Sequence, residues 1–144
     1  HANSVDAMVK RLETKPINLS PSLIESLDVV CVMVQEKVGK KMVRRLQDVV
    51  EIVKVSEEGV NSNVPFKWDP ASKTFLYKLE NYVFEKLFVK HGINKEELSK
   101  EFGIRTELLK KMYQSKIFGF EEVQKIINSY YKDKTKVLRR FGII

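Results

Sequence analysis

Apolar residues recur at helical spacing near the start of the chain. Val5, Met8, Val9 and Leu12 share one face of a helix predicted over residues 4–13, with Asn3 or Ser4 as its cap and Pro16 as its stop. Ser20 and Pro21 predict a short second helix through Leu27, the serine capping and the proline taking the first helical position. The pattern then changes. Residues 29–34 form an unbroken apolar run whose β-branched bias predicts a strand buried on both faces, with Cys31 inside it. A turn at Gly39-Lys40-Lys41 and a long strand over residues 42–55 complete an antiparallel hairpin. Residues 57–64, which include Gly59, Asn61, Ser62 and Asn63, read as a loop. Phe66-Lys67-Trp68 and Thr74-Phe75-Leu76-Tyr77 alternate aromatic and polar side chains around Asp69-Pro70, predicting a small second hairpin.

From Glu80 onward the period is helical. Val83, Phe84, Leu87 and Phe88 share a face, and His91-Gly92 closes that helix. Asn94, with Glu97 three residues on, caps the next helix, predicted to stop at Gly103. Leu108, Leu109, Met112 and Tyr113 mark a further helix, and Phe120, Val123, Ile126, Ile127, Tyr130 and Tyr131 another. The expected layout is an α/β piece over residues 1–57, a loop and small hairpin over 58–79, and a helical region over 80–144. As a class this is α/β, or α+β if the chain is a fragment.

Composition narrows the function classes. The 144 residues carry 26 Lys and Arg against 19 Asp and Glu, a net charge of +7. Residues 80–144 hold most of the excess, with 14 basic and 9 acidic residues, and Lys132, Lys134, Lys136, Arg139 and Arg140 face only Asp133. A basic end can steer toward phosphate, nucleic acid or anionic lipid, but acidic residues interrupt any continuous stripe. One cysteine excludes an intramolecular disulfide. The longest apolar run is far short of the roughly 20 residues a spanning helix needs. His1 in place of Met, with helical pattern beginning at once, suggests a piece of a longer protein.

Catalytic patterns are incomplete. No G-x-x-x-x-G-K-[ST] loop is present, and Gly39-Lys40-Lys41 lacks both the first glycine and the hydroxyl residue. His1 and His91 lie 90 positions apart, and with Cys31 in a strand no metal set has ligand spacing, so no metal is expected. No Ser/His/Asp arrangement stands out.

One ordered series of residues nevertheless resembles a known family. His1-Ala2-Asn3-Ser4, Arg11-Leu12-Glu13, Pro16, Pro21, Leu27-Asp28-Val29-Val30, Arg44-Arg45 and Val50-Glu51-Ile52 are similar to the end of the motor domain of hexameric secretion ATPases. These serve type II secretion, type IV pili and archaeal flagella, and the archaeal branch is the nearest in look. Phe66-Lys67-Trp68-Asp69-Pro70, Glu96-Glu97-Leu98, Leu108-Leu109, Glu122-Val123 and Tyr130-Tyr131 resemble the helical C-terminal region of archaeal members.

The resemblance implies the last helices and hairpin of a RecA-like P-loop ATPase core, followed by a small hairpin and a helical bundle. It implies a catalytic role for His1 as a γ-phosphate sensor, which suits an imidazole that changes charge near neutral pH. It marks Arg11, Arg44, Arg45 and Glu51 as nucleotide or subunit-interface residues. Guanidinium matches phosphate and carboxylate oxygens bidentately. The competing reading is surface ion pairing, with Asp48 or Glu51 as partner. ATP and Mg²⁺ are implied for a parent protein and not for this chain alone, whose own ATPase activity is expected to be weak or absent. A hexamer, a membrane platform protein as partner and a cytoplasmic place against the inner face of the cell membrane belong to the same resemblance.

Two further readings come from the residues themselves. Residues 94–118 have the cadence of a helix-turn-helix, in which Arg105, Thr106, Lys110 and Lys111 would face the major groove and Lys134, Lys136 and Arg139 the phosphates. An αα-hairpin that only packs competes with it, favoured by Glu107, which would repel the DNA backbone, and by the need for Leu108, Leu109, Met112 and Tyr113 in the bundle core. Nucleic acid is therefore not an expected partner. The third reading is a non-catalytic protein-interaction module, with Phe66, Trp68, Phe75 and Tyr77 as aromatic anchors.

Overall fold

A computed structural model describes residues 4–56, 58–78 and 80–144. The elements run α1 (Val5–Glu13), α2 (Pro21–Glu25), β1 (Val29–Val38), β2 (Lys41–Ser56), β3 (Gly59–Asp69), β4 (Thr74–Tyr77), α3 (Tyr82–His91), α4 (Lys95–Gln114), α5 (Phe120–Lys132) and α6 (Lys134–Arg140). They form two compact units, residues 1–90 and 91–144.

In the first unit the four strands form one sheet in the order β1-β2-β3-β4, each pair antiparallel. The connections dictate this. Residues 39–40, 57–58 and 70–73 are too few for the crossover that parallel neighbours require. The finding overturns the expected fold class, because a RecA-like P-loop core is built on a parallel sheet. The assignment of this chain to the P-loop NTPases and secretion ATPases falls with it, since neither the sheet nor any Walker-like loop supports it. What stands is an α+β fold.

Two strand expectations also change. Residues 59–64, expected as loop, are the first half of β3, where Val60 and Asn61 pair with Val55 and Lys54. Their Gly/Asn/Ser composition hid a strand that is held by its ladder more than by side-chain preference. Pro65 lacks an N–H, and the β2–β3 register slips beside it, between Val49 and Glu51. The second change concerns β1, which is half-buried on one face and buried on neither: exposure alternates along it, and Cys31, Met33 and Val38 are open to solvent. The core of this unit is Val9 on α1, Ile24 on α2, and Ile52 and Val55 on β2. The serine expected to cap α1 does so, Ser4 accepting from the Ala7 amide at 3.1 Å.

In the second unit α4, α5 and α6 enclose Leu108, Met112, Ile126, Tyr130, Val137 and Leu138. Asn94 caps α4 through the Glu97 amide at 2.8 Å, as expected. The predicted break at Gly103 is absent, and α4 runs through it without interruption. Gly92 ends α3 at φ +66°, whereas Gly103 keeps helical dihedrals. The two glycines differ in their C-terminal neighbours. Gly92 leads to a new cap at Asn94, while Gly103 leads to Ile104, which packs on the core. The turn that the helix-turn-helix reading places after Gly103 is thereby corrected to continuous helix. A Cβ added at Gly103 meets nothing within 4 Å, so Gly103→Ala is expected to stabilise the second unit by about 1 kcal/mol. A melt shifted downward would argue against a continuous α4.

Candidate functional site

Glu51 is the buried charged residue of the first unit, 2% exposed on β2. Its carboxylate accepts from the Tyr82 amide at 3.0 Å, the Val83 amide at 3.1 Å and Asn63 Nδ2 at 2.8 Å. Asn63 stands opposite it in the β2–β3 ladder and also donates to the Glu80 carbonyl. Asn81 Oδ1 accepts from the Phe84 amide. The first amides of α3, which have no partner inside the helix, are thus met by a strand carboxylate and one asparagine. The negative charge also sits at the positive end of the helix dipole. The sequence suggests an arginine as the partner of Glu51. Among the described residues its partners are instead a helix terminus and an amide side chain.

The structure does not gather the candidate arginines. Arg11 is exposed in the last turn of α1, where cationic charge suits the helix end. Arg44 and Arg45 are neighbours along β2 and so point to opposite faces. Arg44 is exposed opposite Gln35. Arg45 Nε meets Glu36 at 2.5 Å, and its guanidinium lies 4.0 Å from the centre of the Trp68 ring. The expected partner Asp48 accepts instead from Gln47 Nε2 at 3.2 Å. His1 lies outside the described residues.

The aromatic hairpin is present as expected. Phe66 stacks on Tyr77 with centroids 4.6 Å apart, and Trp68 meets Phe75 edge to face at 5.2 Å. Phe75 and Tyr77 remain nearly half exposed.

The second unit holds a polar cluster that sequence reasoning does not assemble. Glu101 on α4 accepts from Arg105 Nε at 2.8 Å, from the Tyr130 hydroxyl at 2.8 Å and from Lys134 Nζ. Desolvation raises its pKa, but the hydrogen bonds from Lys134, Tyr130 and Arg105, with the charge of Lys134, outweigh that and lower it to about 2. The guanidinium of Arg105 also lies near the Tyr130 and Tyr131 rings, at 5.7 and 5.6 Å. Arg105 and Lys134, which the helix-turn-helix reading would place on DNA, tie α4 to α5 and α6 here. Only the Glu101–Arg105 spacing of four is visible as a pair in the sequence.

Beside this cluster, α4 and α5 leave an apolar cleft of about 180 Å³. Leu108, Met112 and Tyr130 form its floor, Leu109, Ile127 and Tyr131 its walls, and Arg105 stands at its rim. Leu109 is 59% exposed and Tyr131 70%. Among the described residues no three His, Cys, Asp or Glu converge as metal ligands, and no helix is long and apolar enough to cross a membrane.

The chain is similar to three uncharacterized proteins of Methanocaldococcus jannaschii. One is 30% identical over 132 residues, covering 90% of this chain and 48% of the relative. The second is 27% identical over 138 residues, covering 92% and 25%. The third is 30% identical over 150 residues, covering 96% and 20%. The chain thus spans about half or less of the length of the curated relatives it matches. No protein-family model matches it.

Proposed function

We propose that this chain is a non-catalytic protein-interaction module of a longer protein, and that its sheet half joins copies of itself edge to edge along β1. The observation that carries the reading is the outer edge of β1. Among the described residues this strand has a partner on one side only, runs from Val29 to Val38, and exposes Val29, Met33 and Val38 at 42%, 61% and 52%. Long edges of this kind template pairing with another strand. The alternation that leaves Met33 outside would let a second β1 lay matching side chains against it. Near-complete coverage of the chain within relatives of which it is a fifth to a half supports a module reused in longer proteins.

Pairing of β1 with β1 is isologous and gives a dimer, and the hexamer implied by the family resemblance would need a second, different contact. No step of this function uses ATP or Mg²⁺. Sedimentation equilibrium of the full chain is expected to show a concentration-dependent monomer–dimer balance. Met33→Lys places a charge at the middle of the edge, at an exposed position where the monomer tolerates it, and is expected to leave a monomer. A wild-type chain that stays monomeric up to about 1 mM, where even a weak contact of about 4 kcal/mol would be half formed, overturns the reading.

A further inference from the structure

The backbone of β1 determines which of its groups are free for a second strand. One step beyond the Val29–Glu51 couple, the Ile52 amide donates to the Asp28 carbonyl at 3.3 Å, so these facing residues form a hydrogen-bonded couple. Bonded and open couples alternate along an antiparallel ladder. Val30 and Val32 therefore also turn their backbone groups to β2, while Val29 and Cys31 turn theirs away. The register slip after Val32 adds its extra residue, Gln47, to β2, so the alternation on β1 continues unbroken. Val29, Cys31, Met33, Gln35 and Lys37 thus present their N–H and C=O groups to the outer edge, and the side chains of the same five are the exposed ones. Among the described residues no strand pairs with them there. Proline, a bulge or a central lysine blunts many natural edges, and none of these lies on β1 between Val29 and Gln35.

Two such edges meet antiparallel about a two-fold axis, and the open choice is the residue that sits on the axis. With Met33 there, Met33 faces Met33, Cys31 faces Gln35 and Val29 faces Lys37. All five outward residues of each copy then meet an outward residue of the other. An axis at Val32 carries Lys37 past the start of the other strand, and an axis at Val34 carries Val29 onto the Gly39 turn. Axes further out leave more backbone groups without a partner, at a cost for each. Charge selects the same register. An axis at Val32 would set Asp28 against Glu36, and an axis at Glu36 or Lys37 would set each against itself. The Met33 axis places Val30 opposite Glu36, which keeps Arg45 of its own copy, and gathers Val32, Met33 and Val34 of both copies at the centre of the seam.

We infer that two copies pair β1 to β1 with Met33 on the two-fold axis, joining two four-stranded sheets into one continuous sheet. This rests on the edge-pairing reading and fixes its register, so the register can fail while the pairing stands.

The single cysteine reports the register. Cys31 of one copy faces position 35 of the other, with Cα atoms about 5.5 Å apart and within disulfide reach. Two Cys31 residues are four strand positions out of step, about 13 Å, and cannot bridge. The full wild-type chain is mixed with Cys31→Ser/Gln35→Cys, altered only at exposed positions, and oxidised with copper–phenanthroline. Non-reducing electrophoresis is expected to show a linked pair with one chain of each kind, formed at least about tenfold faster than linkage in either chain alone. Cys31→Ser/Met33→Cys is expected to link to itself, and Cys31→Ser/Lys37→Cys is expected not to link to wild type. Linkage of wild type to itself as fast as in the mixture overturns the register. So does linkage of wild type to the Lys37→Cys chain, or no linkage in a sample that sedimentation shows to be dimeric. Each of these leaves edge pairing standing. A wild-type chain that sediments as a monomer throughout overturns both.

Discussion

Glu51→Ala is expected to destabilise the first unit by about 3 kcal/mol and to lower its melting midpoint by more than about 10 °C. The substitution removes one acceptor group and strands three donors. Asn63 keeps the Glu80 carbonyl, but the Tyr82 and Val83 amides lose a partner that is itself buried. Buried hydrogen bonds to a charged acceptor are worth about 1.5–3 kcal/mol each, and relief from burying the carboxylate offsets part of the sum. Glu51→Gln retains one accepting oxygen and is expected to cost about half as much. Amide exchange at Tyr82 and Val83 distinguishes the cause: it should accelerate far more than exchange in β2. A variant that melts within about 2 °C of the parent, with α3 amides still protected, would mean that the helix start does not depend on Glu51.

Glu101→Ala is expected to cost the second unit about 2 kcal/mol, since it frees Arg105, Tyr130 and Lys134 at once. Its pH dependence is the sharper signature. The folded carboxyl titrates at about 2, well below its ordinary 4.5. The unfolded chain therefore binds this proton first, so the stabilisation is complete above about pH 5 and fades as the pH falls toward 2. In Glu101→Gln that acid-dependent part should disappear, so the two stability curves converge near pH 2. Parallel curves over the whole range would show that the cluster is not ionised as described.

Where side-chain period and local chemistry decide an element, the sequence makes it legible. α5 can be read from its apolar stripe, Asn94 from its position before Glu97, and the second hairpin from alternating aromatics around Asp69-Pro70. Elements decided by distant contacts are not legible. Residues 59–64 look like a loop because their strand character comes from pairing with β2. Gly103 looks like a stop because nothing local says that Ile104 will be drawn onto the core. The same holds for the candidate site. A family resemblance marks Glu51, but its carboxylate meets a helix thirty residues further on, a pairing no spacing rule predicts. Glu101 escapes such rules because two of its three donors come from other helices.

Trp68, held under the Arg45 guanidinium and beside Phe75, is the single tryptophan of the chain. Excited at the red edge of its absorption, it makes emission a signal of the β3–β4 hairpin, while circular dichroism weighs the helices of both units. Disturbing the β3–β4 hairpin, which holds both Trp68 and Phe75, alters that emission at once.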